Sequence, residues 1–265
     1  MYTWHWQTWN ELPYLTCSLL EKWPHGFFTH HCWPRSPAEL VASLQPQAEV
    51  YRVKQVHGNT VLTTNQIGDI SDFPVSEPES VAYPEADGLV TEQSQQAVWV
   101  ASADCTPVLI ADRQTGLVGA VHSGWRGTAA KIVPQAIGRM LEQGCRLENL
   151  LLAMGPAIAG EVYQVSEDVA EAVCASVVAG SNSDKLGSLL DQFSDVGVLD
   201  DPEPGKVRLD VRRVIGLQLE QLGVAPEQVA IAPYCTYQTP EHFFSYRRDN
   251  LRKVQWSGIV SRELA

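Results

Sequence analysis

The stretch VGAVHSGWRGTAAKIV, Val118–Val133, is the most informative guide to the fold of this chain. A strand-like apolar run ends at His122, passes through a loop bracketed by glycines, and leads into a helix predicted to begin near Thr128. A helix start offers free N–H groups and a partial positive charge, and Arg126 adds a full charge. We therefore predict a strand–loop–helix unit in which Arg126 and Thr128 bind phosphate. The alternative is a plain chain reversal with His122 hydrogen-bonded in the core.

Two further segments place metal-ligating residue types at strand ends. QAVWVASADCTPVLIAD, Gln96–Asp112, contains two apolar strands around a polar kink that includes Cys105. YRVKQVHGNTVLTT, Tyr51–Thr64, breaks at His57 in a tight turn between two β-like runs. Two imidazoles and one thiolate leave the fourth position of a tetrahedral zinc open, which is typical of catalytic zinc. The sequence therefore predicts a zinc site formed by His57, Cys105 and His122.

The remaining patterns predict an α+β fold in a single compact domain over residues 1–265. Helical periodicity covers residues 129–142, 167–179 and 211–222. Segments 67–84 and 181–205 are rich in Ser, Pro and acidic residues and are predicted loops. The first ten residues alternate like a strand. Further strands are predicted near residues 50–56, 60–64, 88–91, 97–101, 107–111, 117–121, 149–154 and 228–232.

Composition excludes several classes of protein. A net charge of -12 argues against a nucleic-acid partner, because the phosphate backbone would be repelled over most of the surface. The apolar runs are too short to span a membrane, and we find no signal peptide. The six cysteines lack CxxC spacing, so we expect reduced thiols and a cytoplasmic location.

Six motifs follow one another along the chain and carry a resemblance to a known family. They are QVHG, ADGLVT, ADCTPVLIAD, AVHSGWRGTAAKIV, MGPAIAGEVYQV and FFSYRRD. From about Gly26 to the C-terminus, the chain resembles the bacterial YfiH family, also called the laccase-domain or polyphenol-oxidase family. That family includes peptidoglycan-editing factors and the animal purine-nucleoside enzyme FAMIN.

The resemblance implies a fold, a metal and an activity. The implied fold is a sandwich of mixed β-sheets with helices outside. The implied zinc ligands are His57, Cys105 and His122, with copper as a less favoured metal. The implied reactions are phosphorolysis of adenosine, inosine and methylthioadenosine, together with adenosine deamination. The partners would then be purine nucleosides and phosphate, bound by a monomer or a small homo-oligomer.

Two segments depart from the family pattern. Relatives usually carry a segment like FSTRxGGVSxxPYxSLN, whereas this chain has HGFFTHHCWPRSPAEL, residues 25–40. Because that arm shapes the pocket in relatives, the departure affects substrate preference more than the metal site. The usual TGRM-like stretch near the end is replaced by residues 250–256.

Proton transfer, base stacking and further positive charge each have candidates in the motifs. Asp87 and Asp104 are the candidates for proton transfer, although Asp104 also fits a role in the turn before Cys105. Of the basic residues we assign only Arg126, since a lone Lys or Arg is usually a solvated surface charge. The other basic residues in or near the motifs are Lys54, Arg247 and Arg248. The aromatic residues that could stack on a purine are Tyr163, Phe243, Phe244 and Tyr246.

Three other functions remain to be weighed. A multicopper laccase needs about ten histidines, often as His-x-His pairs, but this chain has seven and no such pair. If extended, His30 and His31 would also point to opposite faces. A Cys–His hydrolase acting on peptidoglycan precursors would use Cys105 as nucleophile and His122 as base, with the imidazole oriented by Asp87 or Asp104. A metal-stabilised binding module would need a fourth ligand, for which Cys235 is the candidate.

Overall fold

The computed structural model describes residues 2–67, 83–178 and 193–263. Most of the two predicted loops, at 68–82 and 181–192, lies outside these ranges. The described residues form fifteen strands. They are β1 (Trp4–Trp9), β2 (Leu12–Cys17), β3 (His25–Phe28), β4 (Glu49–Tyr51), β5 (Val61–Thr63), β6 (Gly88–Val90), β7 (Gln96–Ser102), β8 (Thr106–Asp112), β9 (Val118–Ser123), β10 (Leu150–Met154), β11 (Gln164–Ser166), β12 (Val198–Leu199), β13 (Lys206–Leu209), β14 (Val229–Ile231) and β15 (Gln255–Val260).

Short and medium α-helices connect these strands. They are α1 (Pro37–Leu40), α2 (Thr64–Ile67), α3 (Trp125–Ala129), α4 (Ile132–Glu142), α5 (Glu167–Cys174), α6 (Val211–Leu222) and α7 (Tyr246–Asp249). Within the described ranges, no helix is both long and apolar enough to cross a membrane.

Two six-stranded mixed sheets and one three-stranded sheet make up the β-structure. The first sheet has the order β1-β2-β3-β15-β7-β4, and the second has the order β14-β10-β8-β9-β6-β5. The first sheet has a parallel pair at one edge, β4 beside β7, whereas the second has one at each edge, β14 beside β10 and β5 beside β6. The other neighbours are antiparallel. The small sheet has the order β11-β13-β12.

The two large sheets pack face to face around a shared core. Phe27, Val98 and Ile259 from the first sheet belong to the same buried cluster as Leu109 and Ala120 from the second. Full burial of a Val, Leu, Ile or Phe side chain contributes about 1.5–3 kcal/mol of hydrophobic stabilisation. The second sheet's other face is covered by α4, α5 and α6, which share a second cluster with it. This arrangement confirms the α+β sandwich with helices outside.

The strand predictions agree well with the structure, but the pairing of two strands differs. All eight internal predicted strands are present, and the predicted N-terminal strand is β1. The runs on either side of His57 lie in different sheets, because β4 pairs with β7 and β5 pairs with β6. The turn therefore connects the two sheets of the sandwich. Four features were not predicted from the sequence: β2, β3, β15 and the small sheet.

Three helix boundaries differ from the predictions. The helix expected near Thr128 begins at Trp125, with Gly124 as its N-cap. The continuous helix predicted over residues 129–142 is interrupted, because Lys131 adopts a left-handed conformation with φ of 58°. The helix predicted over residues 167–179 ends at Cys174 and continues as turns, where the Ser176 hydroxyl donates to the Val173 carbonyl and competes with helical bonding.

Candidate metal centre and anion site

Neighbouring strand ends of the second sheet bring the three predicted ligands together. Cys105 immediately precedes β8, and His122 lies near the end of β9, opposite Pro107 in the antiparallel β8–β9 pair. The turn before β5 supplies His57, which has a left-handed φ of 59°. The ligand atoms of His57, Cys105 and His122 all lie within 4.8 Å of one another. Residues 65 positions apart in sequence thus form one cluster.

The buried Asp87 carboxylate hydrogen-bonds to His122 and to the turn that carries His57. One of its carboxylate oxygens, Oδ1, lies 2.8 Å from His122 Nδ1 and accepts the His57 N–H at 3.0 Å. The other oxygen, Oδ2, accepts the N–H groups of Val56 at 3.1 Å and Gly58 at 2.7 Å. The side chain is fully buried, and these four bonds use its acceptor capacity. Asp87 therefore positions the imidazole and the turn, and no lone pair is left for the predicted proton transfer.

The hydrogen bond from His122 Nδ1 to Asp87 leaves Nε2 as the ring nitrogen available to a metal. Metal-ligating histidines commonly donate their other N–H to a carboxylate, which holds the ring and its tautomer. Burial raises the pKa of Asp87, but the bonds from His122 and the turn N–H groups outweigh burial and lower it. The carboxylate is therefore charged at neutral pH, as this role requires.

Cys105 and His122 have strongly shifted pKa values before a metal binds. Burial raises the pKa of Cys105, but the charge and hydrogen bonds of His122 and His57 outweigh it and lower the pKa to about 6. For His122, burial lowers the pKa, whereas Cys105 and Asp87 raise it to about 9. The pair is therefore a thiolate and an imidazolium near neutral pH. A thiolate is the form of cysteine that binds metals and also the form that acts as a nucleophile.

The donor set fits zinc with an open coordination position. Two imidazoles and a thiolate are borderline-to-soft ligands, and three protein ligands are the usual number in catalytic zinc sites. Among the described residues, which include all histidines and cysteines, this trio is the one cluster with such geometry. Cys235 is not the fourth ligand, because its sulfur instead lies 3.2 Å from the Ala159 N–H in a separate buried cluster.

The histidines outside this trio do not form a copper site of the laccase type. His30 and His31 lie in a 3-10 turn, His30–Cys32, where both Nε2 atoms contact the Glu241 carbonyl, at 3.0 and 2.8 Å. The expectation that the two rings point to opposite faces applied to an extended backbone, and this backbone is a 3-10 turn. They nevertheless do not belong to any group of three metal ligands in the described ranges.

Gly124 allows the loop before α3 to approach the ligands closely. A Cβ atom at this position would lie 2.9 Å from Cys105 Sγ and 3.5 Å from His57 Cδ2. The backbone of Gly124 has φ of -81°, which any residue can adopt. The lack of a side chain, and not a special backbone conformation, is therefore what the site requires here.

Asp104 joins the Cys105 turn to the C-terminal part of the chain. Its backbone has φ of 93°, an uncommon conformation for a residue other than glycine, and such strain often occurs at functional sites. Its carboxylate accepts the Thr236 hydroxyl at 2.7 Å and the Arg247 N–H at 2.8 Å, one on each oxygen. Each oxygen keeps a further lone pair. Asp104 is also one of the residues that line the cavity beside Cys105.

Arg126 and Thr128 have different environments. The Arg126 guanidinium lies 4.2 Å from the Trp125 ring centroid and has no hydrogen-bond or ion-pair partner among the described residues. Thr128 is fully buried, and both its hydroxyl and its N–H donate to the Gly124 carbonyl, each at 2.9 Å. Thr128 therefore has no free donor for phosphate, because it lies one turn inside a helix that begins earlier than predicted.

Tyr163 and Arg247 join the site from more distant parts of the chain. The Arg247 guanidinium carbon lies 5.0 Å from the Tyr163 ring centroid, and Nη1 donates to the Gln164 carbonyl at 2.7 Å. Burial and the charge of Cys105 raise the pKa of Tyr163 to about 12. The phenol therefore remains a hydrogen-bond donor. The FFSYRRD motif pointed to Arg247, but no local pattern distinguished it from the structural Arg248.

The other candidate residues have structural roles or lie elsewhere. Lys54 pairs with Glu85 at 2.8 Å, and Arg248 donates to the carbonyls of Thr236, Tyr237 and Phe243. Phe243 is buried, Phe244 packs beside Trp33, and Tyr246 is exposed on α7. Of the four aromatic candidates, Tyr163 is the one that lines the cavity beside Cys105.

The cavity beside Cys105 is small, at 30 Å³. Its walls include Asp104, Trp125 and Tyr163. This volume is enough for one or two water molecules but not for a nucleoside. His57 and Arg126 are not among the residues that line this cavity, and both are exposed to solvent.

Comparison with known proteins connects this site to a family. Residues 35–260 match the family described as multi-copper polyphenol oxidoreductase laccase. A purine nucleoside phosphorylase of Synechocystis is 51% identical over 261 residues, covering 97% of each chain. A purine nucleoside phosphorylase of Mycobacterium tuberculosis is 34% identical over 193 residues, covering 72% of this chain and 68% of the relative.

Solved structures confirm the fold. YlmD from Geobacillus stearothermophilus superimposes with a TM-score of 0.79 at 23% identity, covering 97% of this chain and 99% of that one. The hypothetical protein YfiH of Bacillus licheniformis gives a TM-score of 0.76 at 21% identity, covering 94% and 96%. At these identities, the likeness concerns the fold alone.

Proposed function

The chain belongs to the multi-copper polyphenol oxidoreductase laccase family, and from this premise and the site geometry we propose that it is a zinc-dependent purine nucleoside phosphorylase. The observation that carries the proposal is the cluster of His57, Cys105 and His122 together with Arg126, whose guanidinium has no hydrogen-bond or ion-pair partner in the described parts of the chain. The close relative with 51% identity supports an enzyme with this activity. The proposed substrates are phosphate with inosine, adenosine or methylthioadenosine.

In the proposed phosphorolysis, hydrogen phosphate held by Arg126 attacks the sugar C1′. The bond from C1′ to the purine N9 breaks, and its electron pair leaves with the base. The proton of hydrogen phosphate ends on the purine, so the products are the free base and ribose 1-phosphate. A guanidinium suits this step because its planar array of N–H donors matches phosphate oxygens and keeps its charge at every relevant pH.

The chain's own residues would hold the metal and align the substrate. His122 Nε2, Cys105 Sγ and His57 would bind zinc, while Asp87 keeps His122 in the required tautomer. The chemistry that zinc supplies when bound is Lewis-acid catalysis, which activates water and stabilises a departing purine. Tyr163 and Asp104 line the same cavity and would orient the base.

Adenosine deamination is the second proposed activity of this site. It needs a group that carries a proton between water and the departing ammonia. Asp104 is the candidate with acceptor capacity in the cavity, whereas Asp87 has none left. Phosphorolysis needs no such carrier, because phosphate brings its own proton. The geometry therefore supports phosphorolysis more directly.

A Cys–His hydrolase is the alternative function that a specific observation favours. Asp87, His122 and Cys105 form a continuous chain in which the carboxylate orients the imidazole and the imidazole lowers the thiol pKa. Such an arrangement activates a cysteine nucleophile. It gives no role to His57, however, which the zinc proposal requires.

The laccase alternative finds less support in the residues. The described ranges include all seven histidines but contain one three-ligand group, which is too few for a blue-copper site and a trinuclear cluster. Copper bound at the trio itself remains the less favoured metal assignment.

The proposed function is tested by the phosphate dependence of inosine cleavage. We expect hypoxanthine release to require phosphate and to yield ribose 1-phosphate. Replacing Arg126 with Ala should raise the phosphate KM by about 10- to 100-fold, since bonds to charged groups contribute about 1.5–3 kcal/mol. Arg139→Ala is the matched control, because Arg139 is an exposed residue on α4 that pairs with Glu142. Phosphate-independent release of free ribose would exclude the proposal.

A further inference from the structure

The second arginine of the site, Arg247, is held from three sides. Its backbone N–H donates to Asp104 Oδ2, its Nη1 donates to the Gln164 carbonyl, and its guanidinium lies over the Tyr163 ring. Holding a long side chain in one place costs conformational entropy, so an arginine fixed in this way is already organised to bind a ligand.

Arg247 nevertheless keeps most of its hydrogen-bonding capacity. A guanidinium carries five N–H groups, and one contact, Nη1 to Gln164, is its side-chain hydrogen bond among the described residues. Arg248 differs in this respect. Its guanidinium donates to the carboxylate of Asp249 and to three backbone carbonyls, so it is committed to the fold. Adjacent arginines thus have separate roles.

Arg126 and Arg247 each contact one of the aromatic residues that line the cavity beside Cys105. Arg126 stacks on Trp125, Arg247 stacks on Tyr163, and both aromatic rings line the cavity beside Cys105. The electrostatic effects of both arginines also reach the Tyr163 hydroxyl. Each of the two positive charges therefore lies against a different aromatic residue of the same cavity.

This local positive charge contrasts with the rest of the molecule. The net charge of -12 repels small anions over most of the surface, so an anion substrate needs a concentrated positive site. A phosphate dianion has three equivalent terminal oxygens that accept hydrogen bonds, which two guanidinium groups can share from different directions.

We propose that Arg247 is a phosphate-binding residue that, together with Arg126, forms a two-sided phosphate subsite at the mouth of the cavity. This inference rests on the proposed phosphorylase function for its physiological role. Asp104 acts as a positioning residue for this subsite, because it anchors the Arg247 backbone next to the Cys105 turn.

The test compares phosphate binding with nucleoside binding in four proteins. They are the parent, Arg247→Ala, Arg247→Lys and the exposed control Arg139→Ala. We measure the KM for phosphate and for inosine, and separately the Kd of inorganic phosphate without nucleoside by titration calorimetry. Arg247→Ala should raise both phosphate constants by about 10- to 100-fold and leave the inosine KM within about threefold.

Arg247→Lys should lie between Ala and the parent, because lysine keeps the charge but loses the planar donor array. A purely structural Arg247 would instead raise both KM values together and lower the melting temperature. That result, or a phosphate Kd unchanged in Arg247→Ala, would overturn the inference.

The two proposals can fail separately. If the parent binds phosphate through Arg247 but cleaves no nucleoside, the phosphorylase function fails and the subsite stands. If the parent performs phosphorolysis with the same phosphate KM in Arg247→Ala, the subsite fails and the function stands.

Discussion

The substitution Asp87→Asn tests how the buried carboxylate controls the metal site. Asparagine has nearly the same shape, but one carboxylate oxygen becomes an NH₂ donor. Asp87 accepts four bonds, from His122 Nδ1 and from the N–H groups of Val56, His57 and Gly58. The new NH₂ group must therefore face two donors, whichever way the amide is turned.

If the NH₂ faces His122 Nδ1, the imidazole must accept a hydrogen bond there and carry its proton on Nε2. A protonated Nε2 cannot bind zinc, so the substitution selects the wrong tautomer. If the NH₂ instead faces Val56 and Gly58, the turn that carries His57 loses its anchor. Both orientations impair a predicted ligand.

We expect Asp87→Asn to lower both the free energy of unfolding and the affinity for zinc. Each bond lost to a charged acceptor costs about 1.5–3 kcal/mol, so the loss of two should lower the free energy of unfolding by about 3 kcal/mol or somewhat more. That loss is smaller than the stability of most domains, about 5–15 kcal/mol, so the variant should fold. Loss of a histidine's hydrogen-bonding partner typically weakens metal affinity by about 10- to 100-fold.

The assay is zinc competition against a chromophoric chelator, with melting temperature measured in parallel. The parent should bind about one zinc per chain. Asp112→Asn is the matched control, because Asp112 is also fully buried and accepts backbone N–H groups in a turn, but is not part of the ligand cluster. A folded Asp87→Asn protein with zinc affinity within about threefold of the parent would refute the reasoning.

Two further predictions concern atoms in the ligand cluster. In chelator-treated protein, iodoacetamide labelling of Cys105 should increase as pH rises through about 6, because the reactive thiolate forms above its lowered pKa. Zinc should make labelling slow, whereas fast labelling unaffected by zinc would favour the hydrolase. Gly124→Ala should weaken zinc binding by about tenfold or more, since the new Cβ lies 2.9 Å from Cys105 Sγ. The control is Gly138→Ala on α4, where an added Cβ would meet nothing within 4 Å outside the helix's own backbone, so this variant should keep the parental zinc affinity. Equal zinc affinity in both variants would contradict the steric argument.

Much of the site was predictable because residue type and local strand endings are sequence properties. His57, Cys105 and His122 each interrupt an apolar run, and the chemistry of imidazole and thiolate suggests a metal at once. The strands that carry them were also predictable from short apolar runs. Neither signal required knowledge of which strands are neighbours.

Which distant strands pair with each other could not be predicted from the sequence, because many pairings satisfy the same local pattern. No periodicity shows that β15 lies between β3 and β7, or that β4 and β5 enter different sheets. The same limit applies to α3, whose start depends on the loop packing of Gly124 against Cys105 and not on propensity alone.

The sequence by itself determined the fold class, the family resemblance and the chemical identity of the candidate metal ligands, since these depend on residue types in local order. Only the tertiary structure decided the roles of the polar residues around them. In the folded chain, Asp87 uses its acceptors to hold His122 and the turn, and Thr128 uses its donors within its own helix. The fold also places the Arg247 guanidinium over the Tyr163 ring. The physical reason is that a side chain's role depends on which of its donors and acceptors remain free. That is settled by contacts between residues far apart in the chain.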